Sequence, residues 1–147
     1  MEIQASIPVE RPPSDVFGFM SDMRNHPKEE GSKVLSVEKI TEGVIGLGTQ
    51  FREKVQMFPW INVSFANEIT RFEPDLQIEI RWQGGGMKGL LTLECEAFEN
   101  GTLLKIQETI TPKGLMRLLV PVIRKNFSSM WGNRLRDIQH FLEISDS

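Results

Sequence analysis

Between Lys33 and Thr111 the chain alternates polar and apolar residues almost without interruption. Turn residues break the alternation at Glu42-Gly43, Phe58-Pro59, Glu73-Pro74-Asp75, Gly84-Gly85-Gly86 and Glu99-Asn100-Gly101. A period of two punctuated in this way predicts an antiparallel meander of six strands with one wet face. The clearest run is Asp75 to Trp82, where Leu76, Ile78, Ile80 and Trp82 share one face and Asp75, Gln77, Glu79 and Arg81 the other. Ahead of the meander, residues 2–7 read as a strand ended by Pro8. Arg11-Pro12-Pro13-Ser14-Asp15 then opens a short helix bearing Val16, Phe17, Phe19 and Met20. Ser21 to Pro27 reads as a second helix start and a stop, followed by a loop through Glu30-Gly31-Ser32.

The period changes again near the C-terminus. Leu119, Ile123, Phe127, Met130, Trp131, Ile138 and Phe141 fall at helical spacing within a segment from 115 to 144. At about 1.5 Å per residue that segment is long enough to span the sheet. Pro121 lacks an N–H and its ring crowds the carbonyl four residues earlier, so a kink or break is expected near Val120.

Composition removes several functions. Seventeen Lys and Arg against twenty Asp and Glu give a net charge of −3 over 147 residues, which carries no footprint for nucleic acid. Cys95 is the only cysteine, so neither an intrachain disulfide nor a cysteine-based zinc site can form. It alternates with Leu91, Leu93 and Ala97 and reads as a small buried hydrophobe. His26 and His140 lack metal-like neighbours, so no metal and no other cofactor is expected. The N-terminus alternates instead of running basic and then apolar, and no apolar stretch reaches membrane-spanning length; both predict a soluble, cytoplasmic protein. The spacing of Gly43, Gly46 and Gly48 lacks the Lys-Ser/Thr and helix of a phosphate loop and reads as a twisted hairpin turn. Gly84-Gly85-Gly86 exceeds what a tight turn needs, which leaves a mobile rim or a plain loop open.

Three charged residues stand on apolar faces. Glu53 shares its side of the strand with Thr49, Phe51, Val55 and Met57, and Glu108 shares its side with Leu104, Ile106 and Ile110. On a helical wheel the apolar residues from Phe127 to Leu142 occupy an arc of about 140°, and Arg134 lies inside it. Neither sign of charge is stable alone in such surroundings, so Arg134 is expected to pair with Glu53, Glu108, another polar group or a ligand's oxygen. Asn67, beside Phe65 and Ile69, is a weaker case. Met57, Met87, Met116 and Met130 add flexible surface to inward faces. The chain has no tyrosine, so any proton chemistry in an interior would fall to Glu, Arg, Ser or Thr.

The order of elements, with the stretches Ile7-Pro8-Val9-Glu10, Val16 to Asp22, Gly43 to Phe51, Phe72-Glu73-Pro74, Gly101-Thr102-Leu103-Leu104 and Leu135 to Glu143, resembles the SRPBCC or START-like superfamily. That group includes polyketide cyclase/dehydrase-like proteins, lipid-transfer domains and the major pollen allergen. The resemblance implies an α+β helix-grip fold in one START-like domain over 1–147, with a cavity between the sheet and the C-terminal helix. At the wall it implies Phe51, Glu53, Val55, Met57, Phe65, Ile80, Trp82, Met87, Leu91, Ile106 and Glu108 from the strands. The helix would add Ile123, Phe127, Met130 and Arg134. The expected ligand is a lipid, polyketide or isoprenoid-like molecule held noncovalently in a cavity of at least about 300 Å³.

A cyclase or dehydratase in which Glu53 or Glu108 shuttles a proton near Arg134 is the alternative, because the superfamily has no single chemistry. A third branch, the cochaperones, would need an exposed recognition surface. Residues 113–136 carry Lys113, Arg117, Arg124, Lys125, Arg134 and Arg136 with no acidic residue, the pattern of a membrane-surface helix. Since the sheet needs that helix's apolar face, the pattern reads first as a solvated basic face.

Overall fold

The computed structural model describes residues 1–28 and 33–144, apart from the side chains of 26–28 and 57–58. Strand β1 (Glu2–Val9) leads into α1 (Pro13–Ser21) and a 3-10 helix (Met23–Lys28). The meander follows as β2 (Val34–Lys39), β3 (Gln50–Phe58), β4 (Ile61–Glu73), β5 (Gln77–Gly84), β6 (Met87–Phe98) and β7 (Gly101–Pro112). A second 3-10 helix (Gly114–Leu119) precedes α2 (Val120–Ile144). All seven strands form one antiparallel sheet in the order β1-β7-β6-β5-β4-β3-β2.

Period two places the core as expected. Phe51, Ile78, Ile80, Trp82, Leu91 and Leu93 are buried on the inner face with Trp131, Leu135, Ile138 and Leu142 of α2. Register shifts at Val34/Ser36, Gln56/Phe58 and Ile69/Arg71 insert unpaired residues, which bend strands and increase twist around the helix. Helix α1 bridges the layers, with Phe17 edge-on to Phe72 and Phe19 against Phe141. Arg11 donates to the carbonyl of Leu142 at 2.7 Å, satisfying one of the free acceptors at the C-terminal end of α2, and pairs with Asp15.

Four local expectations need correction. Pro8 does not end the first strand; β1 is an edge strand, so a residue without an N–H is tolerated opposite Leu103. Leu76 is exposed, because β5 begins at Gln77 and Asp75 takes a positive φ in the turn. The C-terminal helix starts at Val120 instead of 115, with Pro121 in its first turn, where the missing N–H costs no hydrogen bond. Finally, Gly85 and Gly86, with φ of 60° and 76°, are the two central residues of a tight hairpin turn, while a Cβ on Gly84 would strike the Ser64 carbonyl. Geometry alone therefore accounts for all three glycines. The loop expected through Glu30-Gly31-Ser32 lies outside the described residues.

Candidate functional site

Glu108 is the centre of the site. It stands on β7 directly across from Leu91 of β6, on the inner face, and is buried. Its two oxygens accept from two tryptophans: Trp131 Nε1 of α2 to Oε1 at 2.8 Å and Trp82 Nε1 of β5 to Oε2 at 3.0 Å. The carboxyl thus ties the sheet to the helix. Burial pushes its pKa up to about 7, outweighing the Trp131 hydrogen bond, the nearby Arg134 and the Trp82 hydrogen bond, which all favour the charged form; Glu53 adds a smaller upward push.

The tryptophans are themselves held. Trp82 lies over Gly89, its cross-strand partner, where a Cβ would overlap the indole. Phe65 meets Trp82 edge-on at 5.6 Å, and Phe127 of α2 stacks parallel to it at 6.1 Å. Arg134 sits one helical turn beyond Trp131 with its guanidinium 4.9 Å from that ring, inside cation–π range. Its Nη2 is removed from solvent.

These side chains border a cavity of about 370 Å³ between the sheet and α2. Its apolar wall is built by Val55, Phe65, Ile80, Trp82, Leu91, Phe127 and Met130; Glu53, Asn67, Glu108, Asn126, Asn133, Arg134 and Asp137 supply polar groups. A second concavity of about 350 Å³ lies on the outer face among Gln4, Ser6, Thr92, Glu94, Lys105 and Gln107. The volumes are nearly equal, so the lining decides: apolar, aromatic walls with a few converging polar groups suit a small molecule, and a wet sheet face does not.

Ten of the fifteen residues expected at the wall are there: Glu53, Val55, Phe65, Ile80, Trp82, Leu91, Glu108, Phe127, Met130 and Arg134. Phe51, Met87, Ile106 and Ile123 are instead buried in the core and do not line the cavity. The side chain of Met57 lies outside the described residues. The partners of Glu108 were not legible as such. Trp131 reads in the sequence as one more apolar helix position, although a buried indole N–H needs an acceptor, and that was the available signal.

Elsewhere, chemistry is scarce. Burial raises the Cys95 thiol to about 12, helped by Asp75 and Glu94, so it is no nucleophile. In the Gly43–Gly48 loop, Gly46 N–H donates to Thr49 Oγ1, and Lys39 Nζ donates to the carbonyls of Thr41 and Gly43; the groups a phosphate would need are already engaged. Among the described residues no group of three or more His, Cys, Asp or Glu could hold a metal ion, and no described helix is long and apolar enough to cross a membrane.

A curved antiparallel sheet gripping one long C-terminal helix over a cavity defines the START-like helix-grip class. The chain belongs to the polyketide cyclase/dehydrase and lipid transport family, whose model matches residues 1–140. Solved structures with this fold include a protein of Thermus thermophilus (TM-score 0.83, 16% identity, 100% of both chains covered). A START superfamily protein of Mycobacterium smegmatis has a TM-score of 0.81 at 14% identity, with 97% of each chain covered. The Zhui aromatase/cyclase of a Streptomyces species has a TM-score of 0.78 at 12% identity, covering 97% of this chain and 93% of that one. No protein of curated function has a matching sequence.

Proposed function

We propose that this protein binds a hydrophobic small molecule noncovalently in the cavity between the sheet and α2, as a carrier or sensor, with an oxygen-bearing end of the ligand facing Arg134. The observation that carries this reading is the lining: an aromatic and aliphatic wall met by the Arg134 guanidinium, the Lys33 ammonium and a set of amide and carboxyl groups. Apolar surface supplies affinity, and the few polar groups orient the ligand.

Two substitutions test it against a panel of fatty acids, their alcohols and polyketide-like aromatics, read by the fluorescence of the cavity tryptophans. Val55→Phe fills the half-buried part of the wall without adding a tryptophan and should lower affinity at least about tenfold for every ligand, with little change in melting temperature. Arg134→Met should cost on the order of 2 kcal/mol of affinity for acidic ligands and much less for neutral ones. Equal losses for both classes would reject the anchor role of Arg134. No binding by the unmodified protein would reject the proposal.

One observation favours a second reading, a cyclase or dehydratase. Glu108 lies in the cavity wall with its pKa raised to about 7, the range a general acid–base needs at neutral pH. Against it, both oxygens already accept from indoles. Turnover of a linear poly-β-ketone that vanishes in Glu108→Gln, with folding retained, would establish this reading over the first.

A further inference from the structure

The two ends of the sheet differ in charge. At one end lie the β2–β3 loop and the β4–β5 and β6–β7 turns; at the other lie the β3–β4 hairpin tip, the β5–β6 turn and the 3-10 helix that leads into α2. Both ends expose apolar residues. The first, with Val44, Leu47, Leu76 and Phe98, carries Glu42, Glu73, Asp75 and Glu99, against which Lys39 at the Gly43 carbonyl and Arg71 paired with Glu73 leave an acidic excess. At the second, the β5–β6 turn and the segment from the end of β7 into α2 carry Lys88, Lys113, Arg117, Arg124 and Lys125 with no acidic residue in either, while Glu2, which starts β1 opposite Thr109, adds one carboxylate to this end. All five basic side chains are exposed.

Within this basic end the 3-10 helix does not cover the sheet with its leucines. Only Met116 turns inward, over Gly86, while the N–H of Lys113 donates to the Gly86 carbonyl at 2.9 Å and holds the segment against the turn. Leu115 is 83% exposed, Leu118 78% and Val122 54%, and Trp60 on the neighbouring hairpin tip is 82% exposed. Single exposed leucines need no explanation; several in succession, interleaved with Lys and Arg, do. In the sequence, the need of the C-terminal helix for its apolar face in the core speaks against a docking role. That need holds for α2 from Ile123 onward, but not for Leu115, Leu118 and Val122.

We infer that this end of the molecule, the 3-10 helix Gly114–Leu119 with the first turn of α2 and the Trp60 hairpin tip, docks on an anionic lipid surface, the leucines entering the headgroup boundary and the basic residues facing the phosphates. Apolar insertion combined with basic side chains is the recognition chemistry of an interfacial anchor. The acidic opposite end orients the molecule, since an anionic surface repels it. A second copy of the chain fits less well, because a two-fold contact through this patch would bring like charges together. Asn126 and Phe127, which line the cavity, follow the anchor by one helical turn, so docking would bring the cavity to the bilayer.

The test is cosedimentation with phosphatidylcholine vesicles with and without phosphatidylglycerol at low ionic strength, together with the emission of Trp60. Binding is expected to be at least tenfold tighter to the anionic vesicles, with a blue shift. Leu115→Ser with Leu118→Ser should weaken it at least tenfold, as should Arg124→Glu with Lys125→Glu. All four positions are exposed, so melting temperatures should not move; if one pair does destabilise the protein, Trp60→Ala gives an independent readout of insertion. Absence of binding to anionic vesicles overturns the inference. So does binding that survives the serine pair, which would be charge adsorption without insertion, and so does a dimer that the serine pair dissolves while vesicles are ignored. Because none of these variants alters the cavity lining, failure here leaves the ligand-binding reading standing.

Discussion

Between pH 4.5 and about 7 the native protein is expected to lose about 3 kcal/mol of stability that a Glu108→Gln variant keeps. In the unfolded chain the carboxyl releases its proton near 4.5, whereas in the fold it holds the proton to about 7. Across that window the native state binds more protons, so stability falls as pH rises. The contribution is complete below the unfolded pKa, gone above the folded one, and flat on either side. The cause is desolvation: two indole donors and a nearby guanidinium do not replace the water that an ionised carboxylate loses. A glutamine at this position would present an NH₂ to one indole N–H, so the variant should be the less stable protein in acid and should gain on the native one toward neutrality. Urea unfolding of both proteins at several pH values isolates this group, because the other carboxylates cancel in the difference. Parallel curves would mean that Glu108 titrates normally.

Gly89→Ala should be the most damaging single-methyl addition near the site, at about 3 kcal/mol or more. The new Cβ would occupy space filled by the Trp82 indole, which cannot tilt away without leaving Phe65, Phe127 and the Glu108 oxygen. Overpacking costs about 1–3 kcal/mol, and a buried indole N–H left without its acceptor adds about 1–3. Trp82→Phe keeps an aromatic ring in place and loses the hydrogen bond, so it should cost less than Gly89→Ala. In a Trp82→Ala background the glycine has nothing to accommodate, and Gly89→Ala should become nearly neutral. A cost below about 0.5 kcal/mol in the native background, measured by denaturant unfolding, would show that the indole can shift freely.

The inner face of the sheet was legible residue by residue, because a strand's alternation is a local property and a core needs one apolar side. Alternation likewise placed Glu53 and Glu108 inward, and the helical wheel placed Arg134. Helix boundaries were less legible: Pro121 marked an interruption, but whether the chain before it continued as helix depended on how Met116 and Lys113 meet the β5–β6 turn. The exposure of Leu115 and Leu118 followed from the same docking and reversed the reason for treating the basic segment as a plain solvated face.

What the sequence determined by itself was the family-level architecture and which charged groups would be confined to apolar faces, since both follow from period and order along the chain. What tertiary structure decided was the company those groups keep. Trp82 and Trp131 lie 26 and 23 residues from Glu108, on a different strand and on the helix, and no spacing rule links them. Only folding brings three such elements to one point. There the depth of burial, rather than the identity of any neighbour, sets the proton affinity of Glu108. The division between a packed core at Phe51, Met87, Ile106 and Ile123 and an open cavity at Val55, Phe127 and Met130 was decided in the same way. Alternation says that a side chain faces inward, but how far the helix stands off from the sheet at each point is a property of the whole packing.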